Sequence, residues 1–514
     1  MLTFHRLPGS HGLRSLACHT ALVALLCVLG VPAQASAFPE VDRRAREAAA
    51  KPYAKPASPI PKALRELGYD QLRDIRYEPT RALWREQKLP FEIQFFHPGG
   101  IYDQPVRVNE VVGGQVREVP FNAAHFNYGK TGLAPPTEQF GFAGFRAHYA
   151  LNQPTHKDEV VVFLGASYFR ALGAGQRYGA SARGLAIDTA ERNGEEFPRF
   201  VEFWLERPQQ SARQLVIHAL LDSRRATGAY RFVVKPGAET VTEVQARVYL
   251  REPVAKLALA PLTSMYYYGE NQRGASSDFR PEVHDSDGLA VHSATGEWIW
   301  RPLVNPRRLL VTSFALDGPR GFGLMQRDRN FGRYEDLEAR YELRPSLWVE
   351  PVGSWGRGRV ELVQIPTANE FNDNIVAYWV PQATATPRQP INFSYRLYWL
   401  KNTDRRPPTS RVTQTRRGHG AQAQPDDVIA LTVDFEGPAL TKLTDDAEVE
   451  ADLSVTGGGR RDALNVYRND VTGGWRMVVH VRRLDKQQPI ELRAHLKRGQ
   501  EILSETWSYL VPPA

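Results

Sequence analysis

Arg280, Glu282, His284, Asp285 and Asp287 stand close together in the chain, and Glu297, Trp298, Trp300 and Arg301 follow shortly after. Four carboxylates, an imidazole and two indoles therefore share one short stretch. Carboxyl groups move protons and flat rings stack on pyranose faces, so these residue types suit a site that cleaves or grips sugar. A second acidic segment, Glu370 to Asn374, runs straight into Ile375-Val376-Ala377-Tyr378-Trp379 and carries Asp373 to the head of an aromatic strand. Chemistry, if the chain performs any, is expected between these two segments.

Within the first segment, Asp285 and Asp287 are two residues apart and would point the same way on a strand, so one of them could serve as a base. The plainer reading of Asp285-Ser286-Asp287-Gly288 is a turn, because Asp, Ser and Gly bond locally there and tolerate positive φ. In the second segment Ile375, Tyr378 and Trp379 could supply apolar walls that raise a carboxyl pKa, which makes Asp373 a better proton donor than Glu370. Carboxyls roughly 6.5 to 9.5 Å apart would invert the anomeric centre, and roughly 5 Å would retain it. Trp298, Trp300 and Trp355 are candidate platforms, with Tyr378 beside the acid. Arg280, Arg301 and Arg327 are candidates to orient carboxylates or to bond sugar hydroxyls, and His284 and Glu370 complete the expected binding set.

Other chemistries fit less well. Gly165-Ala166-Ser167 lacks the Gly-x-Ser-x-Gly elbow of a serine hydrolase. His97, His148, His218 and His284 are not at metal-ligand spacing, and the acidic segment lacks the ligand alternation of a calcium loop, so neither metal nor organic cofactor is expected.

The elements that would position these residues follow from the rest of the chain. Residues 1–37 read as a secretory leader: Arg6 and Arg14, an apolar core over residues 21–31, and a small-residue cleavage site at Ala35-Ser36-Ala37. Export to the periplasm is therefore expected. Cys18 and Cys27, the only cysteines among 514 residues, both lie in that leader, so the exported part has no disulfide, thiolate ligand or thiol nucleophile. Net charge is +8, of which the leader's two arginines supply two. The remaining arginines are dispersed, which argues against nucleic acid as a partner. No later stretch is apolar and long enough to cross a membrane as a helix.

A helix is expected over residues 41–50, ended by the proline-rich run at 51–61. From Phe91 onward, short β-branched and aromatic segments with Gly, Pro, Asn and Asp nearby predict an all-β chain. The expected architecture is a large antiparallel β-sandwich over residues 38–402, a linker over 403–427 and a small immunoglobulin-like β-sandwich over 428–514.

Several blocks carry a further resemblance: Phe95 to Gly99, Gly141 to Arg146, Phe163 to Arg170, Tyr178 to Ala186, Ala260 to Met265, Arg280 to Leu289, Gly323 to Arg329 and Asp373 to Trp379. In this order they resemble the family of osmoregulated periplasmic glucan biosynthesis proteins G and D, and the general-export leader looks like the G branch. The resemblance implies a large β-sandwich with a C-terminal immunoglobulin-like domain, and a role in making glucans with a β-1,2-linked backbone. Members that are enzymes resemble inverting endo-β-1,2-glucanases. By the same resemblance Asp373 matches the general acid and Asp285 the base, with Asp287 its rival. The alternative is a non-catalytic glucan-binding scaffold that assists backbone synthesis, export or branching beside a membrane glucan synthase. The sequence departs from the family pattern at Gly100, at Ala180, where Leu is common, and at Gln364, where Glu is expected and could support the acid.

Overall fold

The computed structural model describes residues 37–274, 277–401, 405–419, 424–444 and 446–513. The leader expected over residues 1–37 lies, up to residue 36, outside them. Strand makes up 48% and helix 8%, which puts the chain in the all-β class its segments predict.

Two large sheets face each other. One follows the strand order Phe91–Phe96, Gly144–Gln153, His156–Leu164, Tyr168–Ala171, Ser181–Arg183, Leu257–Ser264, Ile375–Pro381, Gly358–Gln364, Leu310–Leu316. The other runs through Trp298–Pro302, Gly288–Ser293, Pro319–Met325, Ser346–Val352, Pro390–Leu400, Thr240–Leu250, Ala226–Lys235, Leu215–Asp222, Arg199–Glu206 and Arg107–Val112. Alternation along each strand sends one set of side chains into the layer between the sheets. Phe163 and Phe169 of the first sheet meet Phe232 of the second at ring distances of 5.1 and 5.2 Å, and Phe169 also reaches Trp399 at 6.2 Å. Burying each such ring stabilises the fold by about 1.5–3 kcal/mol, and no cysteine is needed.

The predicted N-terminal helix is observed at Phe38–Ala49. Phe38, Val41, Ala45 and Ala49 recur at helical spacing and form one buried stripe against Trp204, Ala229 and Tyr249 on the outer face of the second sheet. Asp42 fixes the helix by accepting from Arg247 (2.6 Å) and from the Tyr249 hydroxyl (2.8 Å).

Two expectations are corrected. The linker expected over 403–427 contains a strand, Arg411–Arg417, which pairs along Val428–Glu436 in a four-stranded sheet with Gly474–Arg483 and Gly459–Asn469. Its polar, arginine-rich composition hid it. Nor is the pairing antiparallel throughout: Arg107–Val112 runs parallel to Arg199–Glu206, and Trp298–Pro302 runs parallel to Thr506–Val511. That second parallel pair joins the C-terminal strands Thr506–Val511, Ile490–Arg498 and Glu450–Gly457 to the edge of the second sheet. Leu431, Val433, Met477 and Val479 of the four-stranded sheet pack with Leu492, Trp507 and Trp300 in one core, so the C-terminal region shares a continuous sheet with the large one.

Candidate active site

The site is built at the end of the strand Leu257–Ser264, which pairs with Ile375–Pro381 through Ser264 and Ile375. Just beyond it, the Met265 carbonyl accepts a hydrogen bond from the Asp285 N–H at 2.8 Å. The next residue, Tyr266, is gripped by the Asn374 amide: Oδ1 accepts from the Tyr266 N–H (2.8 Å) and Nδ2 donates to the Tyr266 carbonyl (3.0 Å). Asn374 also donates to the Ile365 carbonyl at 3.0 Å and accepts from the Ile365 N–H at 2.8 Å, closing the loop that carries Glu370 and Asp373. Asp285 and Asp373 are thereby set from two consecutive residues.

Asp373 stands on the wall of a cavity of about 690 Å³, with Glu159, Tyr168, Arg170 and Tyr178 on the same wall. Burial raises its pKa; the Arg170 guanidinium, 3.9 Å away, opposes that, the Asp285 charge adds to it, and Arg344 again opposes it. Arg170 is itself aimed by a hydrogen bond to Ser181 Oγ at 2.8 Å. Asp285 is only 3% exposed and is ion-paired with Arg344. Arg344 lies over the Tyr341 ring at 4.1 Å and crosses Gly179 so closely that a Cβ there would stand 2.9 Å from its side chain. Gly179 adjoins Tyr178 of the cavity wall, so Arg344 connects that wall to Asp285. One carboxyl stands partly open on the cavity wall with a cation 3.9 Å away, and the other is buried in a direct ion pair, so the two sit in different environments, as carboxyls with different roles would.

A profile of the family described as "Periplasmic glucan biosynthesis protein, MdoG" matches residues 37–511. The chain belongs to the MdoG family. It is 58% identical over 481 residues to "Glucans biosynthesis protein G" of Ralstonia nicotianae, covering 92% of this chain and 95% of that one. Proteins of the same description from Pseudomonas paraeruginosa and Serratia proteamaculans are 48% and 46% identical over 497 residues, with 95% of each chain covered. This MdoG family member is thus a periplasmic protein of glucan biosynthesis.

Three positions before Asp373, Glu370 accepts from Arg280 (2.7 Å) and from the Tyr341 hydroxyl (2.8 Å), while Arg280 also reaches Asp336 (3.0 Å) and Asp278 (2.9 Å). These two expected residues therefore do come together, as a brace between three loops. Each loop exposes an apolar side chain next to its charge: Phe279, Leu337 and, at 86% exposure, Phe371.

His284 and Asp287 belong to a separate buried cluster. His284 stacks on Tyr266 at 5.3 Å and bonds Glu282 (2.9 Å) and Gln326 (3.0 Å) through its two ring nitrogens. Burial disfavours the imidazolium, yet the Glu282 hydrogen bond and the Asp287 charge outweigh it and lift the pKa to about 9. Asp287 accepts from the backbone N–H groups of Arg327 and Asp328, which are 40 and 41 positions away, so a long-range tie replaces the local turn that Asp-Ser-Asp-Gly suggested. Glu282, His284 and Asp287 place three donor atoms within 4.8 Å of one another, and these hydrogen bonds account for the grouping.

Of the residues expected at the site only Asp373 lines the cavity; the nine expected binding residues, Asp285 and Asp287 do not, and six of the nine are engaged elsewhere in the fold. Arg327 pairs with Glu505 through both nitrogens (2.6 and 3.0 Å) and covers Trp300 at 3.5 Å, and Arg301 pairs with Glu491. Trp298 is sandwiched against His292 (4.1 Å) and Trp348 (5.4 Å), Trp355 donates to the Ser394 carbonyl (3.2 Å), and the buried Tyr378 bonds Glu361 (2.9 Å). These residues hold sheets together. Gln364 likewise accepts from the Val304 N–H at 2.8 Å and ties down a neighbouring loop. The residues that reasoning from residue type passed over are Glu159, Tyr168, Arg170, Tyr178 and Arg344. Two of the family-like blocks, Phe163 to Arg170 and Tyr178 to Ala186, held the signal for three of them.

Proposed function

We propose that this protein cleaves the β-1,2-linked glucan backbone internally, with inversion. Asp373 donates its proton to the leaving oxygen, and Asp285 acts as base through water. The observation that carries this reading is that Asp373, on the wall of the 690 Å³ cavity, and Asp285 are set from consecutive residues, Asp285 by the Met265 carbonyl and Asp373 through Asn374 on Tyr266. Membership of a glucan biosynthesis family supplies the substrate class. The exposed rings of Phe279 and Phe371, next to the Arg280–Glu370 pair in the chain, suit the apolar faces of glucose units.

The test is incubation of purified protein with linear β-1,2-glucan, followed by chain-length analysis. The native protein shortens the polymer. Asp373→Asn loses about 10²- to 10⁴-fold in rate while still folding and binding glucan. An unchanged length distribution with binding intact would replace the enzyme with a glucan-holding scaffold.

A further inference from the structure

A second depression, of about 820 Å³, lies where the loop at residues 304–308 meets the turns and the end of the C-terminal region. Its walls carry Arg307, Arg308, Arg417, Arg483 and Lys486, against two acids, Asp426 and Asp427. Asp427 is already bound through both oxygens to Arg482, at 2.9 and 2.8 Å. Among the described residues none of the five cations forms an ion pair with a side chain.

The arrangement is built rather than incidental. Asn305 clamps the loop: its side chain donates to the Tyr267 (3.2 Å) and Thr367 (2.9 Å) carbonyls and accepts from the Thr367 N–H (3.0 Å). Its backbone exchanges two further hydrogen bonds with the Gln272 amide, at 2.8 and 2.7 Å. Opposite, Arg483 is held by the carbonyls of Gln488 (3.1 Å) and Pro512 (2.7 Å). Burial and then the neighbouring Arg417 charge work against its protonated form, and the Asp485 carboxylate only partly offsets them. Like charges kept together around one hollow repel each other, and a multivalent anion between them removes that repulsion.

We propose that this depression is an anion site for a phosphate-bearing ligand, gripped by Arg307, Arg308, Arg417, Arg483 and Lys486. Phosphate fits better than a single carboxylate because its three outer oxygens can engage several guanidinium forks at once. The volume exceeds that of one phosphate, so the ligand carries an organic part, which meets Val304, Ile429 and Tyr509. This site is independent of the glucan-cleaving proposal and does not fall with it.

Calorimetry on the whole exported protein at low salt tests it with three probes: inorganic phosphate, glucose 6-phosphate, and vesicles containing phosphatidylglycerol. Saturable one-site binding of the soluble phosphates, weakened roughly tenfold or more by Arg307→Gln with Arg308→Gln, supports a soluble ligand. Binding confined to vesicles, with the same loss, supports a lipid headgroup as the source. Because Arg307, Arg308 and Lys486 are exposed, these variants and Lys486→Gln keep the fold. No binding of any probe, or binding undiminished by these substitutions, overturns the proposal.

Discussion

Asp285 and Asn374 hold consecutive residues of one strand end, Asp285 through the Met265 carbonyl and Asn374 through both backbone groups of Tyr266. Two segments nearly ninety positions apart thus meet on a common backbone support, and Asp373 inherits its place from its neighbour. Rigid support of this kind is what a divided acid and base pair requires, since catalysis depends on small tolerances in position.

Asn374→Ala removes three side-chain hydrogen bonds and leaves the Tyr266 N–H unpaired in a buried site. Stability should fall by about 2–4 kcal/mol, read as a lower urea midpoint. Glucan cleavage should lose kcat more than KM, because Asp373 loosens while the cavity persists. Native values of both would detach the loop's anchoring from the chemistry.

The acid must be protonated to act, so the rate should fall as pH rises through the Asp373 pKa, which burial has raised and Arg170 holds back. Arg170→Gln removes that opposing charge. Its alkaline limb should therefore move to higher pH, as a pH profile of kcat/KM would reveal. A shift to lower pH would contradict the assignment.

Phe371 is exposed and packs on nothing that folding needs. Phe371→Ala should leave the melting temperature unchanged and raise KM for the polymer about three- to tenfold, the value of one ring stacked on one sugar face. An unaltered KM would remove this ring from the substrate path.

Glu270 provides a stability test away from the cavity. Burial lifts its pKa to about 8, against the backbone N–H of Thr415 and with help from the Glu282 charge. A carboxyl with a raised folded-state pKa keeps its proton where the unfolded chain releases it, so its contribution is full below the ordinary value of 4.5 and is lost as pH climbs to about 8. Glu270→Gln should equal the native protein at pH near 4 and exceed it by roughly 4 kcal/mol at pH 8. Identical melting at both pH values would show that the carboxyl is not held in this way.

Residue type alone pointed to the segments around Asp285 and Asp373, which folding brings onto consecutive residues, and hydrophobic spacing sufficed for the helix Phe38–Ala49 and most strands. Partners distant in the chain were not legible. Trp300, Arg301 and Arg327 look like sugar contacts beside the acidic segment, yet Trp507, Glu491 and Glu505 claim them for the junction with the C-terminal strands. Arg411–Arg417 reads as a solvated loop because its inward positions are Val412 and Thr415 rather than a run of large apolar residues, and Thr415 accepts from the Trp507 indole at 3.1 Å. Arg170 ends one of the family-like blocks but nothing beside it in the chain points to Asp373, Arg344 lies outside every block, and only folding brings them to the two carboxyls.

The most direct measurement is proton NMR of the first reducing ends released from linear β-1,2-glucan, recorded before mutarotation equilibrates them. A base that acts through water on the face opposite the acid delivers the α-anomer first, and that signal should vanish in Asp373→Asn. Release of the β-anomer first, or no new reducing ends from the native protein, would contradict the account.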